Sequence, residues 1–233
     1  MPALMCQRIV FLVWGLLLAP TVAHTWLDAM WCESSRDSAA TMGYPRNYLG
    51  RETTPNGFDD VMSYRIENYA PTKPLCSATQ AQATQVPKYP RLTCHADAVV
   101  HFVYNPNGHV THNACHPNDP RGCDGPYAKS TNWYILWAKQ SLVRGDLPAP
   151  WDAAAARPAY SVVGQGPYDD QMCGEGPKFG KMRQVGQPCH GTFRLPAVAA
   201  NTRLSLVWFW PFEKVYRVGE EYTTCFDIDV VVT

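Results

Sequence analysis

The segment Leu204-Ser205-Leu206-Val207-Trp208-Phe209-Trp210 carries large apolar side chains on both of its alternating faces. Successive side chains of an extended strand point to opposite faces, so this pattern predicts a strand that is packed on both sides. The segment 223–232 is also strand-like, with apolar residues at alternate positions and with Asp227 and Asp229 on the opposite face. These two segments predict the central strands of a β-sheet protein.

Two earlier segments have the same character. Residues 98–104 are rich in valine and aromatic residues and end at Asn105-Pro106-Asn107-Gly108, which has the chemistry of a turn. Residues 133–138 are aromatic and β-branched. Twenty prolines and sixteen glycines are spread along the chain and leave little room for helices. We therefore expect an all-β fold, an antiparallel immunoglobulin/fibronectin-III-like β-sandwich with long disulfide-stapled loops.

The first 23 residues have the pattern of a secretory signal peptide. Arg8 is followed by an apolar run over 9–19, and Thr21-Val22-Ala23 offers small residues for cleavage. The run is shorter than the roughly 20 residues that span a bilayer. We expect residues 1–23 to be removed and 24–233 to form one domain of a secreted, extracellular protein.

Charge and cysteine content narrow the possible partners and the cellular location of the protein. The chain has 20 basic and 20 acidic residues, and loss of Arg8 leaves nineteen against twenty. A balance near zero argues against nucleic acid or a membrane as partner, and we expect a monomer.

Eight cysteines remain after residue 23, an even number that predicts four disulfides in an exported chain. They are Cys32, Cys76, Cys94, Cys115, Cys123, Cys173, Cys189 and Cys225. Only Cys115–Cys123 is close enough in sequence to suggest a pairing.

Cleavage after Ala23 would make His24 the first residue of the protein. Its α-amine and a ring nitrogen could then hold one metal ion as a chelate. The alternative is that a histidine at this position is accidental.

A second metal ligand is predicted at His109. It follows the turn at 105–108 and should lie at the mouth of the sandwich, where ligands are usually bound. His112 and His116 belong to a polar loop, and His101 lies within a predicted strand, where histidines are usually structural.

Glu220 and Tyr222 are two residues apart at the start of the last predicted strand. Their side chains should therefore point to the same side. On this pattern alone, a charged strand start followed by an ordinary core tyrosine is the simpler interpretation.

Together these residues resemble the lytic polysaccharide monooxygenases, and the fungal members most of all. These are exported copper enzymes whose metal is held by a histidine brace. The resemblance rests on His24, on the strand and turn that end at His109, and on Glu220-Glu221-Tyr222-Thr223-Thr224-Cys225, which matches the family's Gln/Glu-x-Tyr-x-x-Cys segment. The opening His24-Thr25-Trp26-Leu27 and the long loop 111–129 depart from the better-known members, so the chain resembles a divergent branch.

The resemblance implies a function and a role for each residue. His24 and His109 would bind copper (Cu2+/Cu+), Tyr222 would take the axial position, and Glu220 would be the acid that assists the oxygen chemistry. The reaction would be oxidative cleavage of an insoluble polysaccharide such as chitin, cellulose or a related β-linked glycan, with an external electron donor. Ligand type and the Irving–Williams order also favour Cu(II) for two imidazoles and an amine.

Two alternatives remain open at this point. One is a non-catalytic extracellular copper-binding protein on the same scaffold, and the other is a disulfide-stapled structural protein. Trp26, Trp31, Tyr44 and Tyr48 could stack on sugar rings, although packing in the core is the more common fate of such residues. A glycoside hydrolase is disfavoured because no pair of carboxylates stands out.

Overall fold

The computed structural model of the protein describes residues 24–33, 42–53, 57–105, 132–149, 151–155, 157–170, 172–173, 187–215 and 218–232. Within these ranges the side chains of 213–219 are not described. The predicted signal peptide and His109 both lie outside the described residues.

Strands dominate the described part of the chain. They are β1 (Trp26–Cys32), β2 (Tyr64–Glu67), β3 (Leu92–His95), β4 (Val99–Asn105), β5 (Asn132–Ala138), β6 (Tyr160–Pro167), β7 (Cys189–Arg194), β8 (Thr202–Val215) and β9 (Val218–Val231). The helical elements are one short α-helix, α1 (Phe58–Met62), and 3₁₀ turns at Ala78–Gln80 and Arg144–Asp146. No helix of the described residues is long and apolar enough to cross a membrane.

The strands form two sheets. The smaller sheet has the order β1-β4-β7, and both of its pairings are antiparallel. The larger sheet has the order β2-β9-β8-β5-β6, with β3 also paired to β9. Because β9 is 14 residues long, one edge of it accommodates both β2, opposite 220–223, and β3, opposite 228–231. The predicted antiparallel β-sandwich is confirmed, although β3 runs parallel to β9.

The hairpin of β8 and β9 is buried on both faces, as the alternation of 204–210 predicted. One face, which includes Leu206 and Trp208, joins the main hydrophobic core. The other face, which includes Val207 and Phe209, joins a second apolar cluster. In β9, Phe226, Ile228 and Val230 face the main core, and Asp227 lies on the opposite face, as the alternation predicted. Its side chain is fully buried and forms an ion pair with Arg46.

Within the described residues three disulfides link separate elements. Cys32–Cys94 links β1 of the smaller sheet to β3 of the larger one, and Cys76–Cys225 attaches the segment after β2 to β9. Cys173–Cys189 closes the chain onto the start of β7. The predicted disulfide scaffold is confirmed for these six cysteines. Cys115 and Cys123 lie outside the described residues, so the fourth bridge stays a prediction.

Candidate metal centre

The start of β1 lies beside the end of β4 and contacts the larger sheet. Trp26 lies opposite Asn105, the last residue of β4. The backbone N–H of Leu27 donates to Oγ1 of Thr224 on β9, over 3.1 Å, and so connects the two sheets. His24 therefore leads directly into a fixed end of the sandwich.

The imidazole of His24 contacts a carboxylate on α1. Its Nε2 lies 2.9 Å from Oδ1 of Asp60. The His24 side chain is 17% exposed, whereas that of Asp60 is 73% exposed. The contact uses Nε2 and leaves Nδ1, the ring nitrogen nearer the backbone, for a second bond. This is the arrangement that metal-ligating histidines commonly adopt, with one nitrogen on the metal and the other donating to a carboxylate.

Tyr222 and Glu220 are hydrogen-bonded to each other. The phenol O–H of Tyr222 donates to Oε2 of Glu220 over 2.7 Å. Arg65, which lies opposite Tyr222 in the pairing of β2 with β9, places Nη1 3.5 Å from Oε1 of Glu220. Burial of Tyr222 raises the pKa of its phenol, and the charge and hydrogen bond of Glu220 raise it further. The phenol is therefore neutral at physiological pH.

A chain of side-chain contacts joins these two groups of residues. The hydroxyl of Tyr168 donates to Oγ1 of Thr25 over 2.9 Å, next to His24. The ring of Tyr168 stacks on Trp210 at 3.6 Å, and Trp210 stacks on Tyr222 at 5.6 Å. The structure thus places Tyr222 and His24 at the same end of the sandwich.

The backbone also bears on the predicted second ligand, His109, although the structure does not describe it. The last described residue before it is Asn105, opposite Trp26. Four residues of chain span at most about 14 Å. The chain thus leaves β4 beside the segment that begins with His24, and His112 and His116 follow on the same connection outside the described residues.

Two residues at this end were not predicted from the sequence. Asp60 and Arg65 contact the predicted site residues His24 and Glu220. The acidic pair Asp59-Asp60 is visible in the sequence as the first turn of a short helix. No sequence pattern indicates that one of these acids contacts a histidine 36 positions earlier.

The aromatic residues near the N-terminus pack in the interior, as the more common fate of such residues predicted. Trp26 is 0% exposed, and Trp31 and Tyr48 are also buried. Tyr44 is half-buried and contacts the rings of Tyr48 and Tyr89. In the described ranges every Trp, Tyr and Phe side chain is buried or half-buried.

Asp170, Cys173 and Cys189 also bring three residues of metal-binding types together. The two cysteines are joined in a disulfide, so neither offers a thiolate. The carboxylate of Asp170 already accepts backbone N–H groups from Met172, Cys173 and His190. This cluster is a structural turn rather than a metal site.

The described residues thus form a disulfide-stapled β-sandwich. One end of it carries a histidine, a carboxylate and a buried phenol. A family model described as "Domain of unknown function (DUF7492)" matches residues 21–131. That range includes His24 and His109 but ends before Glu220 and Tyr222. No curated protein matches the chain significantly.

Two solved structures are similar in outline. CvAA9A is 13% identical with a TM-score of 0.42, and the alignment covers 90% of this chain and 79% of that one. A chitin binding domain from Burkholderia pseudomallei is 11% identical with a TM-score of 0.40, over 90% of this chain and 100% of that one. At these values neither similarity bears on the function of this protein.

Proposed function

We propose that residues 1–23 are removed on export and that the protein then binds one copper ion with His24 and His109. The copper serves oxidative cleavage of glycosidic bonds in chitin, cellulose or a related β-linked glycan. One observation carries the proposal: Trp26 pairs with Asn105. This pairing brings the N-terminal histidine to the strand end that precedes His109.

The residues at this end suit a copper ion. An α-amine and two imidazoles are a nitrogen set that favours Cu(II) among the first-row divalent ions. The His24 ring has its Nε2 on a carboxylate, which leaves Nδ1 and the amine to form a chelate ring. Tyr222 contributes a neutral phenol whose proton is held by Glu220, so its oxygen can approach a cation as an uncharged donor.

Each residue of the chain has a distinct task in this proposal. His24 and His109 would hold the metal, and Tyr222 would offer its phenol oxygen as a further donor. Glu220 accepts the hydrogen bond of the Tyr222 hydroxyl and is the carboxyl group that can move a proton at the Tyr222 oxygen, while Arg65 lies beside it on the opposite strand. When bound, copper supplies the one-electron and oxygen chemistry, with electrons from an external donor.

Disulfides are consistent with export. Such bonds form and persist in oxidising compartments, and insoluble polysaccharides are met outside the cell. We propose accordingly that residues 24–233 act as one secreted extracellular domain.

A specific observation favours a second candidate, a non-catalytic protein that captures or delivers extracellular copper. The described residues present no exposed aromatic side chain on which a sugar ring could stack. A copper carrier needs the chelate but no polysaccharide surface. Both candidates require copper binding, and only the first requires turnover.

The test uses secreted protein whose intact mass shows His24 as residue one. Copper titration should give one tight site, and incubation with reductant and insoluble chitin or cellulose should release oxidised oligosaccharides, detected by mass spectrometry. A matched sample whose His24 α-amine is acetylated lacks that donor and should lose both properties. Tight copper binding without oxidised products would support the carrier. A mature N-terminus other than His24 would contradict both candidates.

A further inference from the structure

The contact between His24 and Asp60 joins two elements that are 36 positions apart in the sequence. Asp60 lies in the five-residue helix α1, whose Phe58 and Met62 are buried. The ring of Phe58 packs edge-on against Trp26 with the centroids 5.8 Å apart. The helix is therefore anchored to the same strand that His24 precedes, so the carboxylate is held at a fixed place beside the imidazole.

We propose that Asp60 is a positioning residue for His24. Its carboxylate accepts a hydrogen bond from Nε2–H, which in the neutral ring leaves Nδ1 as the unprotonated nitrogen that would form a chelate ring with the α-amine. The part of this inference that concerns copper rests on the proposed function. The part that concerns the imidazole does not, because the contact exists without any metal.

Energetics support a role in orientation rather than in stability. The Asp60 side chain is 73% exposed, and exposed ion pairs stabilise proteins by only about 0–1 kcal/mol. A hydrogen bond to one ring nitrogen still selects the tautomer and limits rotation of the ring. Loss of such a partner typically weakens metal binding about 10–100-fold.

The contact with Asp60 involves only the side chain of His24. It therefore does not depend on a free α-amine, and orientation of the ring can be measured separately from the chelate.

The neighbouring acid supplies a matched control. Asp59 lies on the same helix, but its carboxylate pairs with Arg51 at 3.2 Å. Asp59→Ala removes one negative charge from α1 and leaves the partner of His24 intact. Asp60→Ala removes that partner, and Asp60→Asn keeps the shape of the side chain but offers a weaker, neutral acceptor.

The experiment compares the wild type with these three variants, each beginning at His24. The first readout is the ¹⁵N NMR spectrum of the His24 ring in metal-free protein. The wild type and Asp59→Ala should show a protonated, hydrogen-bonded Nε2 and an unprotonated Nδ1. Asp60→Ala should shift both nitrogens towards the values of a free imidazole, with Asp60→Asn between. The second readout is Cu(II) affinity, which should fall about 10–100-fold in Asp60→Ala and stay unchanged in Asp59→Ala.

The result that would overturn the inference is a set of ring nitrogen shifts that Asp60→Ala leaves unchanged, or a wild-type ring with its proton on Nδ1. If Asp60→Ala does not fold, Asp60→Asn decides by the same criteria. A wild type that binds no copper would refute the proposed function, while the ring spectra would still decide on Asp60. Protein whose His24 α-amine is acetylated should keep the wild-type ring spectrum although its copper affinity is lost.

Discussion

Two polar regions beside the larger sheet differ in how far their charged side chains are exposed. Under the segment that follows β2, the fully buried Asp227 accepts from Nε and Nη2 of Arg46 at 2.9 and 2.6 Å. The same guanidinium also donates to the carbonyl of Gln80 and to Ser205. At the other region, Asp60 and Arg65 keep 73% and 32% of their side chains exposed.

This difference separates charges that hold the fold from charges that are open to a ligand. In the first region, which we call the Arg46 region, protein groups satisfy the guanidinium and bury its partner. In the second region, the metal-site end, each pair remains in contact with solvent and can exchange a proton or a ligand. The predictions that follow test this contrast, from the largest expected effect to the smallest.

The largest effect should come from the disulfide in the Arg46 region. Cys76–Cys225 closes 149 residues of sequence separation and Cys173–Cys189 closes 16. In the chain-entropy model, longer loops give more stabilisation. Replacing both Cys76 and Cys225 with alanine should cost about 5 kcal/mol in the free energy of unfolding, measured by denaturant titration. The matched double variant of Cys173 and Cys189 should cost about 3 kcal/mol, and equal losses would contradict the model.

Removal of the buried carboxylate should be the next largest effect. Asp227→Ala leaves the 8%-exposed Arg46 without its ionic partner, which should cost about 4 kcal/mol in denaturant unfolding. Asp229→Ala is the matched control two residues along, because its side chain is 35% exposed. That substitution should cost no more than about 1 kcal/mol. Similar losses for the two variants would mean that the buried ion pair of the Arg46 region stabilises the fold no more than an exposed one does.

A smaller effect should appear at high pH. Burial raises the pKa of Tyr222, followed by the effect of Glu220, so the folded protein keeps this phenol proton after the unfolded chain has lost it above about pH 10. The stabilisation is complete below that pH and is lost as the pH rises. From pH 8 to 11 the loss from this one group should be about 1.4 kcal/mol.

Denaturant titrations at both pH values measure this loss. The Tyr222→Phe variant should lose about that much less between them, because it has no phenol to retain. The same loss in the wild type and in the variant would show that Tyr222 ionises as it does in the unfolded chain.

Strands with regular alternation were predictable from the sequence, whereas strands shaped by close packing were not. The predicted segments 98–104, 133–138 and 204–210 correspond to β4, β5 and part of β8. β1, β2, β3, β6 and β7 were not predicted, and β6 and β7 contain glycines, which sequence patterns usually assign to turns. A Cβ on Gly164 would lie 2.5 Å from Cβ of Phe193, and one on Gly191 would lie 2.2 Å from the ring of Phe102. Gly164 allows β6 to approach the smaller sheet, and Gly191 makes room for the Phe102 ring on the paired strand β4. Single-sequence patterns express neither requirement.

Some residues of the candidate site were likewise predictable from the sequence and others were not. The chemical character of His24, Glu220 and Tyr222 is visible in the sequence, and the structure places all three at one end of the sandwich. Their partners Asp60 and Arg65 come from separate elements, so their contacts depend on how α1 and β2 pack. Which side chains contact each other, and in what orientation, is set by tertiary packing, and a sequence motif does not specify it.

The paramagnetic spectrum of the Cu(II)-loaded protein that begins at His24 tests the central claim most directly. His24 and His109 should give three coupled nitrogens, namely one amine and two imidazoles. His109→Ala should remove one coupling and lower copper affinity by orders of magnitude. His112→Ala, the matched control three residues along, should leave both unchanged. A spectrum that His109→Ala does not alter, or one that His112→Ala alters in its place, would contradict the assignment of His109 as the second ligand.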